Sequence, residues 1–139
     1  MMSDALLSSL RIAGAAMAAQ SIRMRVASEN LANMNSTSTL PGGDAYRRKI
    51  VGFEEATEEA SGVKVIEPAS VDYDWSPLRT EYNPGHPAAD ADGNVKLPNV
   101  DMMIELADTR EANRSYLANI QVIRMARDAI SATIDLLKT

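Results

Sequence analysis

The chain has 139 residues, 45% apolar but only 4% aromatic, which favours helix-on-helix packing by Ala, Val, Ile, Leu and Met over a thick aromatic core. A formal net charge of −5 argues against nucleic acid as a partner, because phosphate binding needs a basic face. With no cysteine, disulfides, thiolate nucleophiles and cysteine metal sites are excluded.

The first predicted element is a long helix from Asp4 to Met34, with Ser3 or Asp4 as its N-cap and Asn30, Asn33 and Asn35 crowding its end. A seven-residue repeat puts Leu10, Met17, Met24 and Leu31 on one line. Leu6, Ala13, Gln20, Ala27 and Met34 fall on a second, with Gln20 its one flaw. Apolar residues at those two heptad positions describe a helix lying along another helix. Arg11, Arg23, Arg25 and Glu29 occupy the opposite surface. The uncharged run Ile12 to Ala19 is far short of the ~20 residues of a membrane span. Asp4 stands where a secretory signal carries positive charge, so neither a signal peptide nor membrane insertion is expected.

Residues 36–44, rich in hydroxyls with Pro41 and a Gly pair, read as a loop. Short strands are predicted at Lys49 to Phe53, Val63 to Glu67 and Ser70 to Trp75, separated by Gly62 and Pro68. Glu54 to Ala60 fits either a helical turn or a solvated loop. The run Arg47-Arg48-Lys49 and the glutamates at 54, 55, 58 and 59 read together as an internally balanced, solvated segment. Asp92-Gly93 signals a hairpin turn leading into a strand from Val95 to Leu97. The middle is thus a small β-rich or extended module that leans on the helices or on a neighbouring molecule.

A second long helix is predicted from Asn99 or Asp101 to about Leu137. Met102, Tyr116, Ile123, Ile130 and Leu137 share one heptad position, and Leu106, Ile120 and Ile134 the other. Thr109, Asn113 and Arg127 are polar at those seam positions, and the stripe is strong only from Tyr116 onward. The expected fold is mainly α within α+β. The N-terminal helix (1–35) and the C-terminal helix (99–139) pair as an antiparallel coiled coil forming a helical core, and residues 36–98 form the loop and β-rich module.

Candidate chemistry is sparse. His86, the only histidine, lies between prolines in Pro84-Gly85-His86-Pro87, where a turn or packing role outweighs that of a general base. Asp90-Ala-Asp92-Gly93-Asn94 begins like a calcium loop, but its Gly and its twelfth residue, Asp101, depart from that pattern and leave an acidic turn. Asn35-Ser-Thr37 and Asn113-Arg-Ser115 match the glycosylation pattern, which chance produces often. The methionines read either as an adaptable binding face or, as is commoner in an Ala-rich helix, as gap-filling seam residues, and either way their function is contact. Neither cofactor nor metal is expected, and no enzyme reading has support.

The stretch Ala27-Ser-Glu-Asn-Leu-Ala-Asn-Met-Asn35, after the Ala19-Gln20 pair, resembles the signature near the N-terminus of the bacterial flagellar axial proteins, the family of rod, hook and hook-associated proteins. Tyr82 to Gly93, with Pro84, Gly85, His86 and Pro87 at its heart, resembles a segment of the proximal-rod members, as does Leu97-Pro-Asn99-Val100. Arg114-Ser115-Tyr116-Leu-Ala-Asn119 is similar to their C-terminal helix motif, and Tyr46-Arg-Arg fits the same pattern. The resemblance implies a non-catalytic subunit of the proximal rod, passed through the flagellar type III export apparatus without a cleaved signal and assembled where the rod crosses the periplasm. It implies as partners other copies of the chain, other rod proteins and the rod-to-ring junction protein. The expected assembly interface comprises Leu10, Met17, Met24, Asn30, Leu31 and Asn33 on the first helix, with Tyr116, Ile120, Ile123, Ile130, Ile134 and Leu137 on the second. Two rivals carry different expectations: a cytoplasmic coiled-coil adaptor, and a hydrolase using His86 with Asp90.

Overall fold

A computed structural model describes residues 2–59 and 61–137. The element order is α1 (Met2–Ala32), β1 (Lys49–Thr57), β2 (Lys64–Tyr73), β3 (Arg79–Tyr82), β4 (Asn94–Leu97) and α2 (Met102–Leu137). Two long terminal helices enclose two separate antiparallel hairpins, β1–β2 and β3–β4, so the fold is mainly α within α+β.

Helix α1 begins at Met2, ahead of the expected cap, which places Asp4 in its first turn, where a carboxylate offsets the positive end of the helix dipole. It ends in a run of turns: the amide of Asn33 donates to the Glu29 and Asn30 carbonyls, and that of Ser36 to the Asn33 carbonyl. Asp101 caps α2, its Oδ1 accepting from the amides of Met103 at 2.8 Å and Ile104 at 3.3 Å. The helices run antiparallel: advancing along α1 from Arg23 to Asn30 moves the partner back along α2 from Asp108 to Glu105.

Helix α1 is the middle layer, with α2 on one flank and the β1–β2 hairpin on the other. The hairpin base, at Lys49, is bonded to Asn30, and Glu58 near its tip pairs with Arg11 at 2.9 Å, so the hairpin lies along α1. Flanked on two sides, α1 buries small residues: Ala13, Ala19 and Ala27, with Val26. The predicted line Leu10, Met17, Met24 and Leu31 is half-buried beside them. The same small, apolar composition makes Asp4–Ala32 long and apolar enough to pass for a membrane span, a property that the eight-residue run taken alone did not reveal. Here that stretch packs against α2 and the hairpin. Gln20 remains the irregular position, its Oε1 buried without a hydrogen-bond partner among the described residues.

On α2 the seam differs from the predicted one. Glu105, Ala112 and Ala126 are buried, whereas Met102, Leu106 and Ile134 are exposed. Tyr116, Ile123 and Ile130 flank the buried line and are half-buried. Small side chains let the helix backbones approach closely, so alanine displaces the bulkier stripe from the centre of the contact.

Strand β1 extends to Thr57, so the first glutamates of the segment left open between helix and loop are strand residues. Two predicted strands fuse into β2. Pro68 lies inside it, opposite Phe53, where the register shifts between Gly52 and Phe53. A residue without an amide hydrogen is tolerated at such an irregularity, which is why Pro68 read as a break. The second hairpin includes β3, which no sequence signal marked, and loop 83–93 closes it. In that loop Gly93 has φ +82°, and a Cβ there would stand 2.9 Å from Tyr82 Cε2. Gly93→Ala is therefore expected to cost about 1–3 kcal/mol, measured as a shift in the urea midpoint.

Candidate functional site

The most heavily bonded part of the molecule is the junction where α1, α2 and β1 meet. Asn30, 1% exposed, uses both ends of its amide. Its Nδ2 donates to the Lys49 carbonyl at 2.8 Å and to Glu105 Oε2 at 3.1 Å. Its Oδ1 accepts from the Lys49 amide at 2.8 Å and the Tyr46 hydroxyl at 2.9 Å. The side chain thus pairs with one residue of β1 as a neighbouring strand would, fixing the hairpin base to the helix. Burial pushes the Tyr46 phenol above its ordinary pKa, which keeps the donated proton in place.

Glu105, also 1% exposed, receives the Arg48 Nε at 2.5 Å. Arg48 Nη2 stands 3.4 Å from Asp108 Oδ2, and Asp108 Oδ1 accepts from Arg23 of α1 at 2.6 Å. The Arg48 amide donates to Asn99 Oδ1 at 2.8 Å, and Asn99 Nδ2 reaches the carbonyl of Asp74 at 2.9 Å. Lys49 bonds Glu29, which raises the lysine pKa. Arg47 lies over the Trp75 ring, 4.9 Å from its centroid. The run Arg47-Arg48-Lys49 is therefore not a solvated segment balanced by the glutamates that follow it. Those cations find their partners on α1, on α2 and at the end of β2, because the chain reversal brings distant acids closer than the neighbouring ones. The Asp74 carboxyl is held below its ordinary pKa, chiefly by the Ser76 amide donating to it.

An open cleft of about 360 Å³ adjoins this junction, lined by Val26, Ala27, Ile50 and Phe53 on its apolar side and by Arg23 and Arg48 among its charges. Among the described residues no three His, Cys, Asp or Glu side chains gather as a metal site. His86 acts within its turn: its Nδ1 accepts the Ala88 amide at 3.0 Å, and its carbonyl accepts that of Ala89 at 3.0 Å. Asp90 Oδ1 accepts the amides of Asp92 at 3.0 Å and Asn94 at 2.8 Å, which makes it a turn former. Pro84, Gly85 and Pro87 are exposed around His86, while Ala88 beneath is buried and its carbonyl receives the Gly42 amide.

The predicted interface residues fall into three groups. Asn30 is fully inside the junction. Leu10, Met17, Met24, Leu31, Asn33, Tyr116, Ile120, Ile123 and Ile130 are half-buried along the helix pair, and Ile134 and Leu137 are exposed at the far end of α2. Ser115 and Asn119 are joined within α2, the Asn119 amide donating to the Ser115 carbonyl at 2.8 Å. The sequence reading missed Glu105, Asp108 and Arg23. No local signal marked them, because their partners are brought together only by the fold: Arg23 meets Asp108 across 85 residues and Arg48 meets Glu105 across 57.

The arrangement offers faces rather than an enclosed pocket: paired terminal helices, a hairpin strapped along one of them, and a second, separate small hairpin. Two family models match. That of the flagella basal body rod protein covers residues 10–38, and that of the flagellar basal body rod FlgEFG protein C-terminal region covers 91–136. The flagellar basal-body rod protein FlgC of Agrobacterium fabrum is 50% identical over 135 residues, covering 97% of each chain. FlgC of Salmonella typhimurium is 43% identical over 132 residues, 95% of this chain and 98% of that one. FlgC of Borreliella burgdorferi is 33% identical, spanning 96% of this chain and 98% of that one. The chain belongs to the FlgC family of flagellar basal-body rod proteins.

Proposed function

We propose that the chain is a structural subunit of the proximal rod, built into the flagellar drive shaft through its helices. The observation that carries this reading is 50% identity along 97% of the chain to a protein named as a basal-body rod subunit. The paired helices support it physically. Large apolar side chains stay exposed on α2, among them Met103, Leu117, Met125, Leu136 and Leu137. Burying such surface stabilises an assembly at ~25 cal/mol per Å².

The finer parts of the proposal follow from the rod role. The subunit is exported by the flagellar type III apparatus without a cleaved signal and occupies the rod where it spans the periplasm. There it contacts its own copies, other rod proteins and the rod-to-ring junction protein, and carries out no catalytic step. The helix seams Leu10, Met17, Met24, Leu31 and Tyr116, Ile120, Ile123, Ile130, Ile134, Leu137 are proposed as its assembly interface. Cell fractionation separates this from a cytoplasmic adaptor, since the rod subunit is recovered with basal bodies. Leu31→Asp places a charge on the half-buried seam of α1 and is expected to abolish motility while the chain is still expressed at its ordinary level. Normal swimming by that variant would contradict the seam.

A further inference from the structure

The β1–β2 hairpin has two outer edges, and they differ. The Asp74 amide donates to the Arg48 carbonyl at 2.8 Å, and the Glu58 amide to the Val63 carbonyl at 2.9 Å. Antiparallel bonding alternates, so between those points the even-numbered residues of β1, from Ile50 to Ala56, bond to β2. The odd-numbered residues Lys49, Val51, Phe53, Glu55 and Thr57 turn their amides and carbonyls outward. At Lys49 both groups are taken by the Asn30 side chain, which stands where a third strand would stand. From Val51 onward these groups have no partner among the described residues. On β2 the outer edge is interrupted by Pro68, which faces Phe53 in a pair of the non-bonded kind and has no hydrogen to offer outward, and by the register shift beside it. Strand β1 carries neither device.

The bare edge is also one wall of a groove. The open cleft of about 360 Å³ at the junction lies between α1, at Arg23, Val26 and Ala27, and β1, at Ile50, Val51 and Phe53. Ile50 and Phe53 are 39% and 40% exposed, on opposite faces of the strand. One residue further on, Glu54 lies directly across from Glu67, and neither meets a cation among the described residues. A basic side chain on an adjoining strand relieves such a like-charge pair.

A row of unpaired amides and carbonyls at strand spacing is complemented by another extended backbone. Going beyond the rod-subunit reading, we infer that this groove accepts an extended segment of a different protein as a third strand, continuing from the place held by Asn30. The residues of that segment beside Val51 and Phe53 are apolar, and the one beside Glu54 is basic. A second copy has no strand to offer: its β2 edge carries Pro68, its β1 edge is bonded to its own Asn30 and flanked by α1, and β3 and β4 have four residues each.

The test adds the peptide acetyl-Thr-Lys-Val-Thr-Val-Lys-Thr-amide to the purified full chain and reads amide hydrogen exchange by nuclear magnetic resonance. At about ten times its Kd the peptide should slow exchange at Val51, Phe53 and Glu55 about tenfold. Exchange at Ile50, Gly52 and Glu54, whose amides already bond within the hairpin, should stay as it was. The E55P chain keeps its hairpin, because that amide bonds to nothing in β2, yet should bind the peptide about tenfold more weakly. E55A loses the same side chain and its ion pair with Lys64 but keeps the amide, and should bind as the natural chain does. The peptide with N-methylated amides should protect nothing, and exchanging its lysines for glutamates should weaken binding about fivefold. No protection of the three amides at about 5 mM peptide would overturn the inference. Protection that instead rises with chain concentration alone would give the edge to a second copy and overturn it as well.

Discussion

Asn30→Ala is expected to be the most damaging single truncation in the protein, costing about 3–5 kcal/mol in urea unfolding followed by circular dichroism. The change strips partners from four groups at once: the amide and carbonyl of Lys49, the Tyr46 hydroxyl and one Glu105 oxygen. Each is buried or half-buried, and water that enters the gap restores only some of those bonds. Asn30→Asp keeps the acceptor but loses the donor and sets a carboxylate beside Glu105, so it should rescue little. A loss below about 1 kcal/mol for the alanine variant would mean that the hairpin base is held by something other than this amide.

Glu105→Leu comes next, with an expected loss of about 2–3 kcal/mol. Breaking a buried ion pair at one partner leaves the other charge uncompensated and typically costs 3–5 kcal/mol. Here the loss falls below that range, because Arg48 retains Asp108 at 3.4 Å and Asp74 at 3.9 Å. The paired variant Arg48→Met with Glu105→Leu should recover part of that loss, since no buried charge is then left alone. A double-mutant cycle on urea midpoints reads the coupling, and additive losses would contradict a direct Arg48–Glu105 interaction.

The helices were legible because their signals are local: a long apolar periodicity without internal proline, Asn at the end of α1 and Asp101 just before α2. Along α2, hydrophobic periodicity put Met102, Leu106 and Ile134 on the stripe for their size, and within one chain these are exposed while Tyr116, Ile120, Ile123 and Ile130 are half-buried. Packing instead selected Ala112 and Ala126, which admit a close neighbour. The hairpins were half legible. Lys49 and Val95 lay in predicted strands, but a register irregularity hid the continuity of β2 through Pro68, and β3 had no apolar alternation to reveal it. Of the junction only Asn30 was legible. Its bonds join residues as distant in sequence as Asn30 and Glu105, and an arginine beside a lysine looks solvated until a carboxylate from the far end of the chain reaches it. His86, expected from its flanking prolines to serve a turn, accepts the Ala88 amide there.

The central claim is that the two ends of one chain pair with each other and enter the rod as a unit. A side-chain-resolution cryo-EM map of intact basal bodies tests it directly. The map should show α1 and α2 of the same subunit antiparallel, with Arg23 against Asp108 and Asn30 against Glu105. Density placing those residues apart, with each helix paired only to other chains, would contradict it.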